Sequence, residues 1–216
     1  MTRPVRSARL KRAGAAALAA VGWCALVLQY VLLIRTAGDS SLSLMEANVR
    51  FFSYFTIQTN ILASLVLTAF AIKRPLDEWL VHPFVRSAVA VYIAMVGLTY
   101  FTLLRHLWAP QGTQWVVDTT LHYVMPVGYL VFWLACVRKA GLRWYDPLLW
   151  LIYPLTYLLL ILVRGKISGF YPYPFIDAGT LGYAKVATNA AGLVIVCAVL
   201  GAVIVTAGWR LARRAA

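Results

Sequence analysis

Residues 51–62 read FFSYFTIQTNIL. The stretch is apolar enough to enter lipid, yet Ser53, Thr56, Gln58, Thr59 and Asn60 crowd into the eight positions 53–60. A polar side chain at membrane depth costs free energy unless it finds a partner, because no water is there to bond it. The fold turns on whether this is the start of a membrane helix with a polar face, and the rest of the chain decides that.

The chain of 216 residues is 62% hydrophobic and 12% charged, with a mean hydropathy of +0.77. A soluble domain carries about twice that share of charge. Six apolar runs, at about 14–35, 51–72, 86–107, 117–137, 146–164 and 184–208, reach the roughly 17–25 residues that cross a bilayer. Turn and charge signals separate them: TAGDSS, KRPLDEW, APQGTQ, RKAGLR and GKISGFYPYPF. Within lipid only a helix bonds its own backbone in one apolar run. The expected fold is therefore all-α, a single integral membrane bundle of six transmembrane helices over residues 1–216. The first run follows Arg3, Arg6, Arg9, Lys11 and Arg12, as a signal peptide would, but it is longer than a signal-peptide core. It is read as a retained span.

The 20 Lys and Arg against 7 Asp and Glu give a net charge of +13. In a soluble chain that balance points to nucleic acid. Here the bases sit in short clusters between apolar runs, with no interleaved aromatic motif, so no nucleic-acid partner is expected. Fourteen bases fall on one side: the N-terminal five, Lys73, Arg74, Arg86, Arg138, Lys139, Arg143, Arg210, Arg213 and Arg214. Arg35, Arg50, Arg105, Arg164, Lys166 and Lys185 make six on the other. Positive residues are retained inside, so both termini are expected to be cytoplasmic, in a multi-pass protein of the cell membrane. Cys24, Cys136 and Cys197 lie inside apolar runs without metal-ligand spacing. No metal, cofactor or disulfide framework is expected.

With that topology the polar residues gather at the outer side. Ser53, Thr56 and Asn60 follow at helical spacing on one face of span 2. Asp118 and His122 are stacked four apart at the start of span 4. Arg105 and Arg164 end spans 3 and 5. The loop GFYPYPF (169–175) alternates prolines with aromatics, so it is stiff, and it is expected to fold over the bundle as a lid. Ionisable residues inside a bundle are functional candidates. Plainer readings stand beside each. Thr56, Thr59 and Thr102 can bond back to their own helix, Arg105 and Arg164 can snorkel, and Tyr171 and Tyr173 fit an interfacial aromatic belt. A hydroxyl and a neutral imidazole suffice for acyl transfer, with a carboxylate to fix the tautomer. Asn60, Gln58 or an arginine could stabilise an oxyanion. The alternative is a transporter or binding protein for a lipid or small anion, held by Arg105 and Arg164. A haem protein using His106 and His122 is a further alternative.

RFFSYFTIQTNIL resembles the signature of bacterial predicted six-transmembrane-helix proteins. These are similar to the eukaryotic androgen-induced and androgen-dependent TFPI-regulating proteins, multi-pass hydrolases of fatty acid esters of hydroxy fatty acids with a Thr nucleophile and a His. In that family the Thr lies in a Phe-Leu-Thr-Phe stretch with an amide residue seven positions on. FFSY puts Ser53 in its place and Asn60 at the amide, while another register puts Thr56 there. DTTLHYVMP (118–126) aligns Asp118 with the family Asn, His122 with its His, and Pro126 one residue nearer than the family proline. GFYPYPF matches the Gly-x-Trp-x-Tyr-Pro-Phe loop and is the most specific segment, bringing Tyr171, Tyr173 and Phe175. The resemblance implies a lipid-ester hydrolase, with Ser53 or Thr56 as nucleophile, His122 as base, Asp118 beside it, and Asn60, Tyr171, Tyr173 and Phe175 around a lipid substrate drawn from the bilayer; Arg105 and Arg164 join the expected substrate site by their shared outer depth.

The topology has a direct test. A cysteine introduced at Gly38 is expected to react with an impermeant thiol reagent on intact cells, and one at Gly141 only after lysis. The reverse pattern would put the polar cluster on the inner side.

Overall fold

A computed structural model describes residues 3–38, 42–72, 78–139 and 141–215. Among the described residues the chain is all-α and has six helices long and apolar enough to cross a membrane, which makes it a multi-pass membrane protein. Spans 1 to 6 cover Ser7–Gly38, Phe55–Ile72, Pro83–Leu104, Gly112–Cys136, Asp146–Ser168 and Tyr183–Arg213. Lys73 and Arg74, counted above for orientation, lie outside the described residues, as do the side chains of Arg3, Arg6 and Arg214.

Span 3 is the central helix. It packs against spans 2, 4 and 6, and every residue from Ala88 to Ile93 is buried. A helix enclosed on all sides loses the amphipathic period, which is why AVAVYIAMV (88–96) reads as uniformly apolar. The polar tips inside the bundle bond across helices. Tyr92 donates to Trp150 O at 2.8 Å, Trp133 Nε1 to Ser87 Oγ at 2.9 Å, and Trp23 Nε1 to Thr68 Oγ1 at 3.1 Å. The start of span 1 lies beside the end of span 2, where Arg12 donates twice to Ala71 O. Lys139 caps the last carbonyls of span 4, at Trp133 and Leu134. The Ser53–Asn60 cluster sits at the other end of span 2, about 25 Å away at 1.5 Å per residue.

Span 2 starts four residues later than its apolar run. Residues 44–53 form a separate short helix (Leu44–Ser53). Ser43 caps it by accepting from Glu46 N, and Glu46 pairs with Arg50 one turn on. Tyr54 then turns extended, at φ −78° and ψ 124°, and span 2 begins at Phe55. The break leaves carbonyls and amides without helical partners. Side chains supply them. Gln58 Nε2 donates to Phe52 O at 2.7 Å, Tyr157 to Ser53 O at 2.8 Å, and Arg164 Nη1 to Val49 O at 3.2 Å. On the span 2 side, Thr56 N donates to the Tyr173 hydroxyl at 3.2 Å.

Two further irregularities face each other. Span 3 widens to a π-turn over Tyr100–Leu104, where Arg105 N reaches back to Tyr100 O. Span 4 does the same over Thr120–Val124, with Met125 N bonded to Thr120 O. Pro126 causes the second: it has no N–H to give His122 O, so the ladder slips by one residue. Gly97 lets the two spans meet there. A Cβ on it would lie 3.1 Å from Pro126 Cβ and 3.3 Å from His122 O.

Gly97→Ala should therefore lower the thermal midpoint in detergent, by the equivalent of about 1–3 kcal/mol for overpacking. Gly14→Ala, with open space around it, serves as the control. Equal midpoints for the two variants would mean that the contact at Gly97 is loose.

Candidate active site

The break at Tyr54 decides which hydroxyl of span 2 can do chemistry. Ser53 ends the short helix and does not share a face with Thr56 and Asn60, as an unbroken helix would require. Its hydroxyl donates to Val49 O, back along its own helix. The structure thus removes Ser53 from the expected nucleophile position. Thr56, in the first turn of span 2, is 7% exposed. Its Oγ1 lies 3.4 Å from His122 Nε2 and 3.3 Å from the Tyr173 hydroxyl.

His122 is held on one ring face and at its far nitrogen. Nδ1 is 2.9 Å from Asp118 O and 3.2 Å from Asp118 Oδ1. Both of those atoms accept, so in the neutral ring Nδ1 carries the proton. That assignment, made from the partners, leaves Nε2 as an acceptor facing Thr56. The four-residue spacing of Asp118 and His122 does bring carboxylate and imidazole together. Tyr100, which the sequence reading passed over, completes the group. Its ring stacks on His122 at 4.0 Å between centroids, tilted by 17°, and its hydroxyl donates to Asp118 Oδ2. The signal that could have found Tyr100 is general: a buried tyrosine needs a hydrogen-bond partner, and Asp118 is the buried acid at its level.

The 169–175 loop is a seated plug. It leaves span 5 through Gly169, whose φ of 71° suits a glycine after a helix end. Tyr171 lies flat on Gly165, where any Cβ would collide with its ring. Tyr173 is buried between Tyr54 and Thr56 and stacks on Phe175 at 5.2 Å. Burial pushes the Tyr173 hydroxyl up to about 12, against the opposing effect of its Thr56 bonds. It therefore stays protonated at neutral pH and can donate as well as accept.

The remaining expected residues serve the frame. Asn60 Nδ2 donates to Thr56 O at 2.9 Å and across to Leu121 O at 3.2 Å, so it ties span 2 to the π-turn of span 4. Gln58 bridges Phe52 O and the Tyr153 hydroxyl. Arg164 spends its Nη groups on Val49 O and Phe170 O. Arg105 is exposed, over the Phe101 ring and bonded to His106, so it does not join the cluster. The donors named here are bonded elsewhere, while Asn60 Oδ1 and Arg164 Nε are buried without a partner among the described residues. Thr102 bonds back to Leu98 O as a structural threonine does, whereas the buried Thr59 hydroxyl has no partner among the described residues.

A cavity of about 100 Å³ opens against Thr56 and Tyr173 and runs between spans 3, 5 and 6. Its lining is almost entirely apolar, including Met95, Leu158, Phe175 and Leu193. The site therefore combines a hydroxyl, an imidazole with one acceptor nitrogen turned to that hydroxyl, and an apolar cavity beside them. No family model, curated protein or solved structure matches the chain.

The Tyr100–Asp118 bond can be weighed by substitution. Tyr100→Phe keeps the stack and leaves a buried carboxylate oxygen without its donor, so stability should fall by about 1–3 kcal/mol. Tyr100→Leu, which loses the stack as well, should fall further. Thermal midpoints in detergent check this, and a Phe variant as stable as the parent would mean the bond is worth nothing net.

Proposed function

We propose that the chain is an intramembrane hydrolase of lipid esters, acting through Thr56 and His122. The observation that carries this is the Thr56 Oγ1–His122 Nε2 approach, with Asp118 on the opposite ring nitrogen and an apolar cavity at the hydroxyl. The segment resemblance described above supports the same chemistry, in the register that uses Thr56 and not Ser53. The cell membrane is the proposed location, with the site near its outer face and lipid entering sideways between helices.

In this mechanism Thr56 Oγ attacks the ester carbonyl carbon while His122 Nε2 takes the hydroxyl proton. The resulting imidazolium is stabilised by Asp118, itself held by Tyr100. The carbonyl oxygen becomes an oxyanion. The Tyr173 hydroxyl and the Thr56 amide, which now bond each other beside Oγ1, are the donors within reach of it. Collapse breaks the ester C–O bond, and His122 returns its proton to the departing alcohol. Water then attacks the acyl-threonine with His122 again as base, releasing the carboxylic acid and restoring the Thr56 hydroxyl. The 3.4 Å approach is longer than a working proton-transfer contact and must tighten on binding, as such contacts commonly do between free and substrate-bound enzymes.

Purified protein in detergent should turn over a fluorogenic lipid ester. Thr56→Ala and His122→Ala should each lose at least about 10²-fold, the usual range for a lost acid–base partner. Asp118→Asn should lose less, and Ser53→Ala should stay within about twofold of the parent, since its hydroxyl bonds only its own helix. A fluorophosphonate should modify Thr56. Turnover that survives Thr56→Ala sinks the mechanism. A parent protein that binds lipid but turns over no ester favours the transporter or binding reading instead.

A further inference from the structure

At the end of the bundle opposite Thr56, bases gather around one groove. The groove lies between spans 4 and 6, measures about 610 Å³, and is lined by Leu134, Val199, Val203, Ala207 and Arg210 among others. Leu134, Val199 and Val203 are exposed along it. Thr206 in its wall bonds back to Ala202 O, so that hydroxyl is spent within span 6. From Val199 to Arg210 the helix rises about 16 Å, at 1.5 Å per residue. Half of a hydrocarbon core of about 30 Å is about 15 Å. The groove is thus one leaflet deep, apolar along its length and basic at its end. Trp209, next to Arg210, and Trp144, in the loop after span 4, are exposed, as indoles at a membrane interface are.

Two more bases stand at the same rim. Arg213 is three residues beyond Arg210 and so its neighbour on the helix surface. Arg213 and Lys139 line a second cleft, on the Trp209 side of span 6. Gly208 lets the Lys139 stem lie on that span: a Cβ there would be 3.4 Å from Lys139 Cβ. Lys139 Nζ donates to Trp133 O and Leu134 O, which holds the ammonium at the end of the groove wall with a third N–H to give. Among the described residues none of Lys139, Arg210 and Arg213 is in an ion pair with a carboxylate. Asp146, at this end, is buried and accepts from Arg143 N.

We infer that the groove and its rim bind an anionic phospholipid of the leaflet at this end, with one acyl chain between spans 4 and 6 and the phosphate among Arg210, Arg213 and Lys139. Charge and depth together select this occupant. A free anion makes no use of an apolar trough one leaflet deep. A zwitterionic lipid fills the trough but brings no net charge to the three cations. Basic pockets between membrane helices hold anionic headgroups, each base strengthening binding about fivefold. This site is independent of the hydrolase reading.

The test uses the full-length protein in a neutral detergent, titrated with dioleoyl phosphatidylglycerol or dioleoyl phosphatidylcholine while the thermal midpoint is followed. The phosphatidylglycerol should raise the midpoint saturably, and the phosphatidylcholine should not. Arg210→Gln combined with Arg213→Gln should weaken the apparent affinity about 25-fold, at about fivefold for each base. Lys185→Gln, which removes an exposed base at the other end, should leave it unchanged. Val203→Trp, which fills the groove and keeps every base, should remove the saturable shift. Inorganic phosphate should give none. The substituted side chains are all exposed, and the affinity is read from each titration, so a variant with a lower starting midpoint is still scored. Equal stabilisation by the two lipids overturns the inference. So does parental affinity in Val203→Trp or in the double arginine variant. A loss in Lys185→Gln as large as in the double variant means diffuse attraction and no site, and a shift reproduced by phosphate alone means an anion site without the groove.

Discussion

The structure hinges on a helix that stops at Ser53 and restarts at Phe55. Extended backbone at Tyr54 frees carbonyls on one side and amides on the other. In a setting with little water each must be bonded by the protein. The partners come from far along the chain: Tyr157 and Arg164 from span 5 and Tyr173 from the loop after it. One local break thus draws the fifth span and the plug against the second. It also puts a threonine, a tyrosine hydroxyl and a helix start at a single point. The polar residues of FFSYFTIQTNIL are there for two reasons. Gln58 and Asn60 repair the backbone or brace a neighbouring span, and Thr56 is left with its hydroxyl facing an imidazole.

The second arm of the site depends on paired π-turns. A regular helix through Thr120–Val124 would turn the residues before it relative to those after it along span 4. Pro126 removes the bond that would keep it regular, and Gly97 gives span 3 the room to close on the irregular turn. Single-residue expansions of this kind recur at functional sites because they re-aim a side chain without ending the helix. Here the facing expansion in span 3 lays Tyr100 flat on His122 and brings its hydroxyl to Asp118. Imidazole orientation is therefore set from two helices, and neither needs a loop to do it.

Much of this was legible from residues alone, and the gaps have definite causes. Composition and apolar run length were enough for six helices, because the bilayer fixes a length that no soluble element needs. Asp118 and His122 were legible because both lie on one helix, where spacing dictates proximity. Ser53 was misplaced because its run stays apolar through Tyr54, and hydropathy does not register a broken backbone. The capping signal at Ser43 and Glu46 marked a separate short helix and went unused. Tyr100 was missed because its role exists only against a different helix. Arg105 and Arg164 share the level expected of them, yet one turns outward and the other is consumed by carbonyls.

What the sequence determined by itself was thus the class of molecule: an all-α chain with six apolar spans and a polar cluster toward one end of the second. Those features follow from solvation, which acts on each segment without reference to the others. What only the tertiary structure decided was which hydroxyl faces His122, where the carboxylate finds its second donor, and that an apolar chamber opens beside them. These depend on the rotation of each helix about its axis, and that rotation is fixed by packing and by bonds between segments up to 117 residues apart in sequence, which no local pattern encodes.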